Sequence, residues 1–216
     1  MPRRRDAAPT ELNVWPAFAD LMSNLFLITS LLLLVFIAPY LTGGGEDESP
    51  KDPPPIIVIQ DTGGFRFPSG SARLPPSLSS YIRASLVVQV ERNARDYRID
   101  LVEVIGHTDT QPLGFEAASN LDLTLGRIAA NQLPITGARP GSNADLGLLR
   151  ALAVVQELRR IQKSTGRMGG LAFHAYSAAQ LVPPNGSFSN LTEGADASRR
   201  RIEVRFTRSG PVTNAS

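Results

Sequence analysis

Apolar residues change their spacing several times along this chain, and each change marks an element. From Ala17 to Tyr40 they run almost unbroken, which suits a membrane-spanning helix of about 20 residues. Ile56 to Ile59 is a short β-branched run. Phe65 to Leu74 contains Pro68 and Gly70 and follows Gly63-Gly64, so it is a loop or hairpin region. Between Pro75 and Asn93 the apolar residues Leu78, Ile82, Leu86 and Val90 recur every four positions, a helical spacing, with Pro75 and Pro76 suited to its first turn. Arg98 to Ile105 reads as a strand. Leu146, Leu149, Leu152, Val155 and Leu158 mark a second long helix, entered at Asn143 and ended by Gly166. Leu171 to Tyr176 is a further strand. Ile202, Val204 and Phe206 alternate with Arg201, Glu203 and Arg205, which predicts a strand with one wet face. The order predicts an α/β fold: a single N-terminal transmembrane helix, then a βαβαβ sandwich with helices covering one sheet face.

The length of 216 residues allows one ordinary domain beyond a membrane segment, and 42% hydrophobic content allows a packed core. The expected division is a polar cytoplasmic tail over residues 1–16, the span over 17–40, a Gly/Pro linker over 41–55, a domain over 56–208 and a short disordered tail over 209–216. A net charge of +2 is too weak a bias to point to nucleic acid. The absence of cysteine excludes disulfides and Cys-based metal sites. Arg3, Arg4 and Arg5 precede the span, whereas Glu46, Asp47, Glu48 and Asp52 follow it against a single Lys51. The positive-inside rule then places the N-terminus in the cytoplasm and the domain outside. Asp20, Ser23 and Asn24 precede the most apolar stretch, and Pro39-Tyr40-Leu41-Thr42 follows it in place of an Ala-x-Ala-like site, so the segment reads as an uncleaved anchor and not a signal peptide.

Asp20 stands near the start of that span, and no further charge appears until Glu46. A carboxylate at the centre of a span costs about 2.5–3.5 kcal/mol on insertion scales, and such groups face a partner helix or a water-filled path. Asp20 is therefore a candidate ion or proton site; the alternative is an interfacial residue, solvated or capping. Ser23, Thr29 and Ser30 either hydrate the same path or are satisfied by the helix backbone or a neighbouring helix.

The strand residues Val102-Glu103-Val104-Ile105 run into Gly106-His107-Thr108-Asp109, and Asn143-Ala144-Asp145-Leu146-Gly147-Leu148-Leu149-Arg150-Ala151 follows later. Together these resemble the G-H-T-D and N-x-x-L-S-x-x-R-A motifs of the OmpA-like family. Phe67 to Leu74 is similar to that family's F-x-x-G-S-x-x-L segment, and Arg199-Arg200-Arg201-Ile202-Glu203 to its terminal N-R-R-V-E strand. The resemblance implies peptidoglycan binding through Asp109, Arg150, Gly106, Thr108 and Asn143. Asp109 would accept from the ammonium of a diaminopimelate side chain, and Arg150 would grip its carboxylate. Gly106 is expected to allow a tight turn at the strand end. His107 reads as a structural loop histidine; the chain has only 2 histidines, which argues against zinc. The chain departs from the pattern in three places. Its Asp-to-helix loop is longer and holds a second partial match, Asn120 to Ala129, which makes Arg127 the rival of Arg150 and suggests an inserted helix. Gly147 stands where the family has Ser, and Arg199 where it commonly has Asn.

Trp15-Pro16-Ala17-Phe18-Ala19-Asp20-Leu21-Met22-Ser23 resembles the span of MotB-type stator subunits, in which the Asp carries the transported proton. The size, the short linker and the helix motif are most similar to the ZorB subunits of Zorya anti-phage systems. The resemblance implies a MotA- or ZorA-like multi-span partner, peptidoglycan as ligand, a homodimer, and a single-pass inner-membrane location with the domain in the periplasm. It implies no enzyme activity, no cofactor and no nucleic-acid partner. Two alternatives stand beside it. One is a passive OmpA-like wall anchor, and the other is a flagellar-type MotB stator. TolR- and ExbD-like transducers share the membrane Asp but lack the G-H-T-D domain.

Overall fold

The computed structural model describes residues 14–41, 53–113, 118–187 and 194–210. The expected cytoplasmic tail up to Asn13, the linker from Thr42 to Asp52 and the tail beyond Gly210 lie outside the described residues. The chain divides into two compact units, residues 1–51 and 52–216.

In the first unit, helix α1 covers Trp15–Leu41, two residues longer at its start than the predicted span. Its segment Trp15–Ala38 is long and apolar enough to cross a membrane. At about 100° per residue, Asp20, Ser23, Asn24 and Ser30 fall on one side of this helix. Trp15, Phe18, Phe26 and Phe36 fall on the other. Thr29 lies opposite Asp20, and its hydroxyl donates to the carbonyls of Leu25 (2.9 Å) and Phe26 (3.0 Å). Of the three small polar residues of the span, Thr29 is thus satisfied by its own helix backbone.

The second unit is built on a sheet of four strands, β1 (Ile57–Gln60), β2 (Leu101–His107), β3 (Ala172–Ala179) and β4 (Arg201–Thr207). Their order is β1-β4-β2-β3, with β2 and β3 parallel and the other pairs antiparallel. A parallel pair needs a crossover, and the long helix α5 (Asn143–Thr165) supplies it between β2 and β3. Ser142 caps α5 by accepting from the Asp145 N–H, and Asp145 in turn accepts from the Gly141 N–H at 2.8 Å. Gly166 ends it with φ of 72°, the left-handed conformation that glycine adopts without penalty. Both ends match the sequence expectation.

The predicted helix after Pro75 is observed as α2 (Pro76–Tyr81), a π-helical turn at Ile82–Leu86, and α3 (Val87–Asp96), in continuous succession. The π turn has a physical reason in the spacing. A strict four-residue repeat drifts by about 40° per step on an α-helix, whereas the wider π turn drifts the other way. Leu78, Ile82, Leu86 and Val90 are all fully buried as a result. They pack with Val102 and Val104 of β2, Val154 and Leu158 of α5 and Val204 of β4 in one core.

Strand β4 departs from the expected wet face. Arg201 and Glu203 are buried, because Glu203 gathers its own counter-ions and the segment after β3 lies over them. Its carboxylate accepts from Arg201 Nε at 2.8 Å and from Arg205 Nη2 at 2.6 Å. Arg201 also donates to the carbonyl of Val182 at 3.2 Å. His107, at the end of β2, joins the cluster: Nδ1 lies 3.2 Å from the Val182 carbonyl and Nε2 3.4 Å from Glu203. Burial pushes the His107 pKa down, and Arg201 adds to this.

The long loop before α5 contains helix α4 (Leu121–Ala129), as the sequence suggested for the inserted segment. Its last carbonyls are taken up by α5: Gln156 donates to Ile128 at 2.6 Å and Arg159 to Ala129 at 3.2 Å.

Glu157 ties the helical layer together. It accepts from Ser79 Oγ (2.8 Å), Arg83 Nε (2.8 Å) and Arg160 Nη2 (2.7 Å). Burial alone would raise its pKa, but the hydrogen bonds from Arg160, Arg83 and Ser79 outweigh it and hold the carboxyl at about 2 against an ordinary 4.5. A depressed carboxyl contributes stability that is present above its unfolded value and lost as the pH falls through its folded one. The window here runs from about 4.5 down to about 2. Both arginines are more than half exposed, so solvent screens the contribution to about 1 kcal/mol. Glu157→Gln is expected to lower the melting temperature at pH 7 by several degrees and to flatten its dependence on pH within that window. A thermal melt series from pH 7 to pH 2 checks both.

Candidate functional site

Strand β2 delivers the Gly106-His107-Thr108-Asp109 motif to one end of the sheet, where α5 begins. Gly106 is needed there for close approach and not for a tight turn, since its backbone is not in the left-handed region. A Cβ on Gly106 would overlap the carbonyl of Gly147, and a Cβ on Gly147 would overlap Ser177 Oγ. This also accounts for Gly147 at a position where the motif has Ser: the hydroxyl of Ser177, from β3, already fills that space.

The first turn of α5 and the end of β2 border a cavity of about 300 Å³. Thr108, Asp109, Asn143 and Arg150 all line it. Gly106 does not line it and packs against Gly147. Arg127 does not line it; it is exposed on α4. The inserted helix therefore brings no arginine to this cavity, and of the two rivals Arg150 is the one at hand.

Asp109 and Arg150 do not simply face each other. Arg150 Nη1 pairs with Asp61 Oδ2 at 3.0 Å, with the two side chains only 5% and 4% exposed. Arg150 Nε donates to the Ser71 carbonyl at 3.1 Å and Nη2 to that of Pro68 at 3.4 Å, and the guanidinium lies 5.0 Å over the Phe67 ring. Burial pushes the Arg150 pKa down, and the nearby Asp61 charge opposes that. Asp61 Oδ1 accepts from the Phe67 N–H at 2.6 Å, so one carboxylate fixes both the loop and the arginine. Asp109 has a different counter-ion: Arg200 Nη1 lies 2.7 Å from its Oδ2. Arg200 Nε stands 3.7 Å from Asp61, closing an alternating row Arg150, Asp61, Arg200, Asp109. Asn143, the first residue of α5, donates to the Gln111 carbonyl at 3.0 Å and so fastens the loop beyond Asp109 to the helix. The Thr108 hydroxyl is buried and has no hydrogen-bond partner among the described residues.

Asp61 and Arg200 are the site residues that the sequence reading missed. Asp61 follows a β-branched run and precedes Thr62-Gly63-Gly64, which reads as turn chemistry. Arg200 stands in a run of three arginines whose neighbours serve the buried Glu203 cluster and the loop over it. The only signal for Arg200 was its place in the terminal N-R-R-V-E-like motif.

Chemically, the cavity is lined by two carboxylates, Asp61 and Asp109, and three guanidiniums, Arg66, Arg150 and Arg200, with Thr108 beside Asp109. This suits a zwitterion that carries an ammonium and a carboxylate on one short chain. Among the described residues no group of three or more His, Cys, Asp or Glu is placed to hold a metal ion.

No protein-family model matches the chain, and no curated protein matches it. Among solved structures the chain is similar to a MotB-like protein from Desulfovibrio vulgaris, with a TM-score of 0.43 and 16% identity over 71% of this chain and 75% of that one. It is similar to the periplasmic domain of Helicobacter pylori MotB, with a TM-score of 0.40 and 17% identity over 74% and 79%. It is also similar to the cell wall anchor of the T6SS from Pseudomonas aeruginosa, with a TM-score of 0.33 and 19% identity over 69% and 78%.

Proposed function

We propose that this chain is a single-pass inner-membrane subunit of stator type, held to peptidoglycan by its C-terminal domain and carrying protons on Asp20. The observation that carries the proposal is the alternating row of charges in the cavity beside Asp109. Diaminopimelate in a stem peptide ends in an ammonium and a carboxylate on the same carbon, and the row presents a carboxylate and a guanidinium side by side. The orientation follows the positive-inside rule: N-terminus in the cytoplasm, domain in the periplasm. The polar side of α1, with Asp20, Ser23, Asn24 and Ser30, would face a MotA- or ZorA-like multi-span partner, and the aromatic side the lipid. A wall-held chain gives that partner something fixed to move against. The size, the short linker and the helix motif, which resemble those of ZorB, support a role in anti-phage defence, and the same resemblance supports a dimer.

The wall-binding part is tested with the full chain in detergent. Co-sedimentation with purified peptidoglycan is expected for the wild type, and Asp109→Ala should weaken it by roughly 10-fold or more, the size of one lost charge-assisted contact. Equal retention of the two proteins would sink the assignment of this cavity.

A further inference from the structure

Three arginines line the cavity. Arg66 is exposed, and the two that stand beside Asp61 and Asp109, Arg150 and Arg200, are committed very differently, which points to a division of labour between them. We infer that Arg200, and not Arg150, is the group that clamps the ligand's carboxylate, and that it does so by releasing Asp109 when the ligand's ammonium arrives. The inference rests on the wall-binding reading above.

Arg150 is held on every side. It donates to Ser71, Asp61 and Pro68, lies over Phe67, and is 5% exposed. Drawing it toward a ligand would break these contacts and leave Asp61, 4% exposed, without its main counter-ion. A buried charge stripped of its partner is among the costliest changes a protein can undergo. Arg200 is tethered at one end only. Its backbone is fixed, because its carbonyl accepts from the Asp61 N–H at 3.0 Å at the head of the β1–β4 pairing. Its side chain is 16% exposed, and among the described residues it makes one hydrogen bond, to Asp109. Asp61 stands at 3.7 Å, beyond hydrogen-bond range. Of the five N–H donors of its guanidinium, most remain available to an incoming acceptor.

The exchange leaves no charge uncompensated. In the free protein Arg200 sits on Asp109 where a ligand cation would sit. The ligand's ammonium replaces it there, beside Thr108, whose buried hydroxyl has no hydrogen-bond partner among the described residues. The released guanidinium turns to the ligand's carboxylate. One ion pair becomes two, while the buried Asp61–Arg150 pair stays intact. A ligand with the ammonium but no carboxylate on the same carbon would displace Arg200 and offer it nothing there, so the site would discriminate on that carboxylate through Arg200.

Calorimetric titration of the full chain in detergent with two synthetic stem tripeptides, ending in meso-diaminopimelate or in lysine, tests this. Wild type is expected to prefer the diaminopimelate peptide by about 10-fold or more. In Arg200→Gln that preference should fall to within about twofold, and the lysine peptide should bind as well as to wild type or better, because no internal cation competes for Asp109. Arg200→Lys should keep part of the preference. If Arg200→Gln retains the wild-type preference, another arginine of the cavity, Arg150 or Arg66, is the clamp and the inference is wrong. If it loses both peptides together with thermal stability, Arg200 is a structural residue and the inference is equally wrong. If wild type binds neither peptide, it is the wall-binding reading that fails.

Discussion

Asp20→Asn is expected to abolish proton transfer while leaving the membrane complex assembled. The substitution keeps the size and the hydrogen-bonding capacity of the side chain but removes its titration. A carboxylate within a span is costly when charged, and protonation removes that cost. A group that loses and regains its charge can therefore shift a neighbouring helix with each cycle. The energy available is about 2.3 kcal/mol for one charge crossing 100 mV, which is enough for a small repeated step and not for a large one. The arrangement of α1 is consistent with a role for this one residue. Its polar residues Asp20, Ser23, Asn24 and Ser30 share a side, whereas Thr29 lies opposite and spends its hydroxyl on the carbonyls of Leu25 and Phe26. Two measurements separate transport from assembly: proton flux into vesicles holding the reconstituted complex, expected to fall to background, and co-purification of the multi-span subunit with the tagged chain, expected to be unchanged. Normal flux in Asp20→Asn would sink the motor reading and leave a passive wall anchor standing.

The residues that periodicity and local chemistry identify are those whose environment is set by near neighbours. The ends of α5 were legible because the capping residues there, Ser142 and Gly166, act within a turn of where they stand. The strand alternation of Ile202, Val204 and Phe206 was legible for the same reason, since a pleat has a period of two whatever surrounds it. The burial of Arg201 and Glu203 on the other side of that strand was not. It depends on Val182 and His107, which come from different parts of the chain, and on Arg205 supplying a second counter-ion. The π turn was legible only in hindsight: a strict four-residue apolar repeat conflicts with a 3.6-residue helix over three steps, and the helix yields. In the site, the motif pointed to Asp109 and Arg150, which line one cavity, but not to their ion-pair partners Arg200 and Asp61. Asp61 lies 89 positions before Arg150, and Asp109 91 positions before Arg200. Pairings at that separation are made by the sheet order β1-β4-β2, which brings the end of β1 and the start of β4 beside the end of β2, and no local pattern announces them.

The largest stability effect is expected at the Asp61–Arg150 pair. Arg150→Met keeps much of the side-chain volume and removes the charge, which leaves Asp61 buried with Arg200 as its remaining counter-ion at 3.7 Å. Breaking a buried ion pair by removing one partner costs about 3–5 kcal/mol, or a fall in melting temperature of roughly 10 °C or more for a chain of this size. Asp61 cannot move out to water cheaply, because its other oxygen holds the Phe67 N–H at 2.6 Å. The double change Asp61→Asn with Arg150→Met is expected to recover most of the loss, since the amide oxygen still accepts from Phe67 and no buried charge remains. Thermal denaturation of the two single variants and the double variant, in the full chain, measures the coupling; a double variant no more stable than Arg150→Met would mean that the charges are not what the pair contributes. The outcome also bears on how binding data should be read. If Arg150 is a fixture of the fold, its removal weakens peptidoglycan binding by loosening the loop over residues 61–71 that frames the cavity, and the loss will track stability across conditions. A contact made directly to the ligand would instead be lost at temperatures where the variant is still fully folded, and that is the behaviour expected of Asp109 and Arg200.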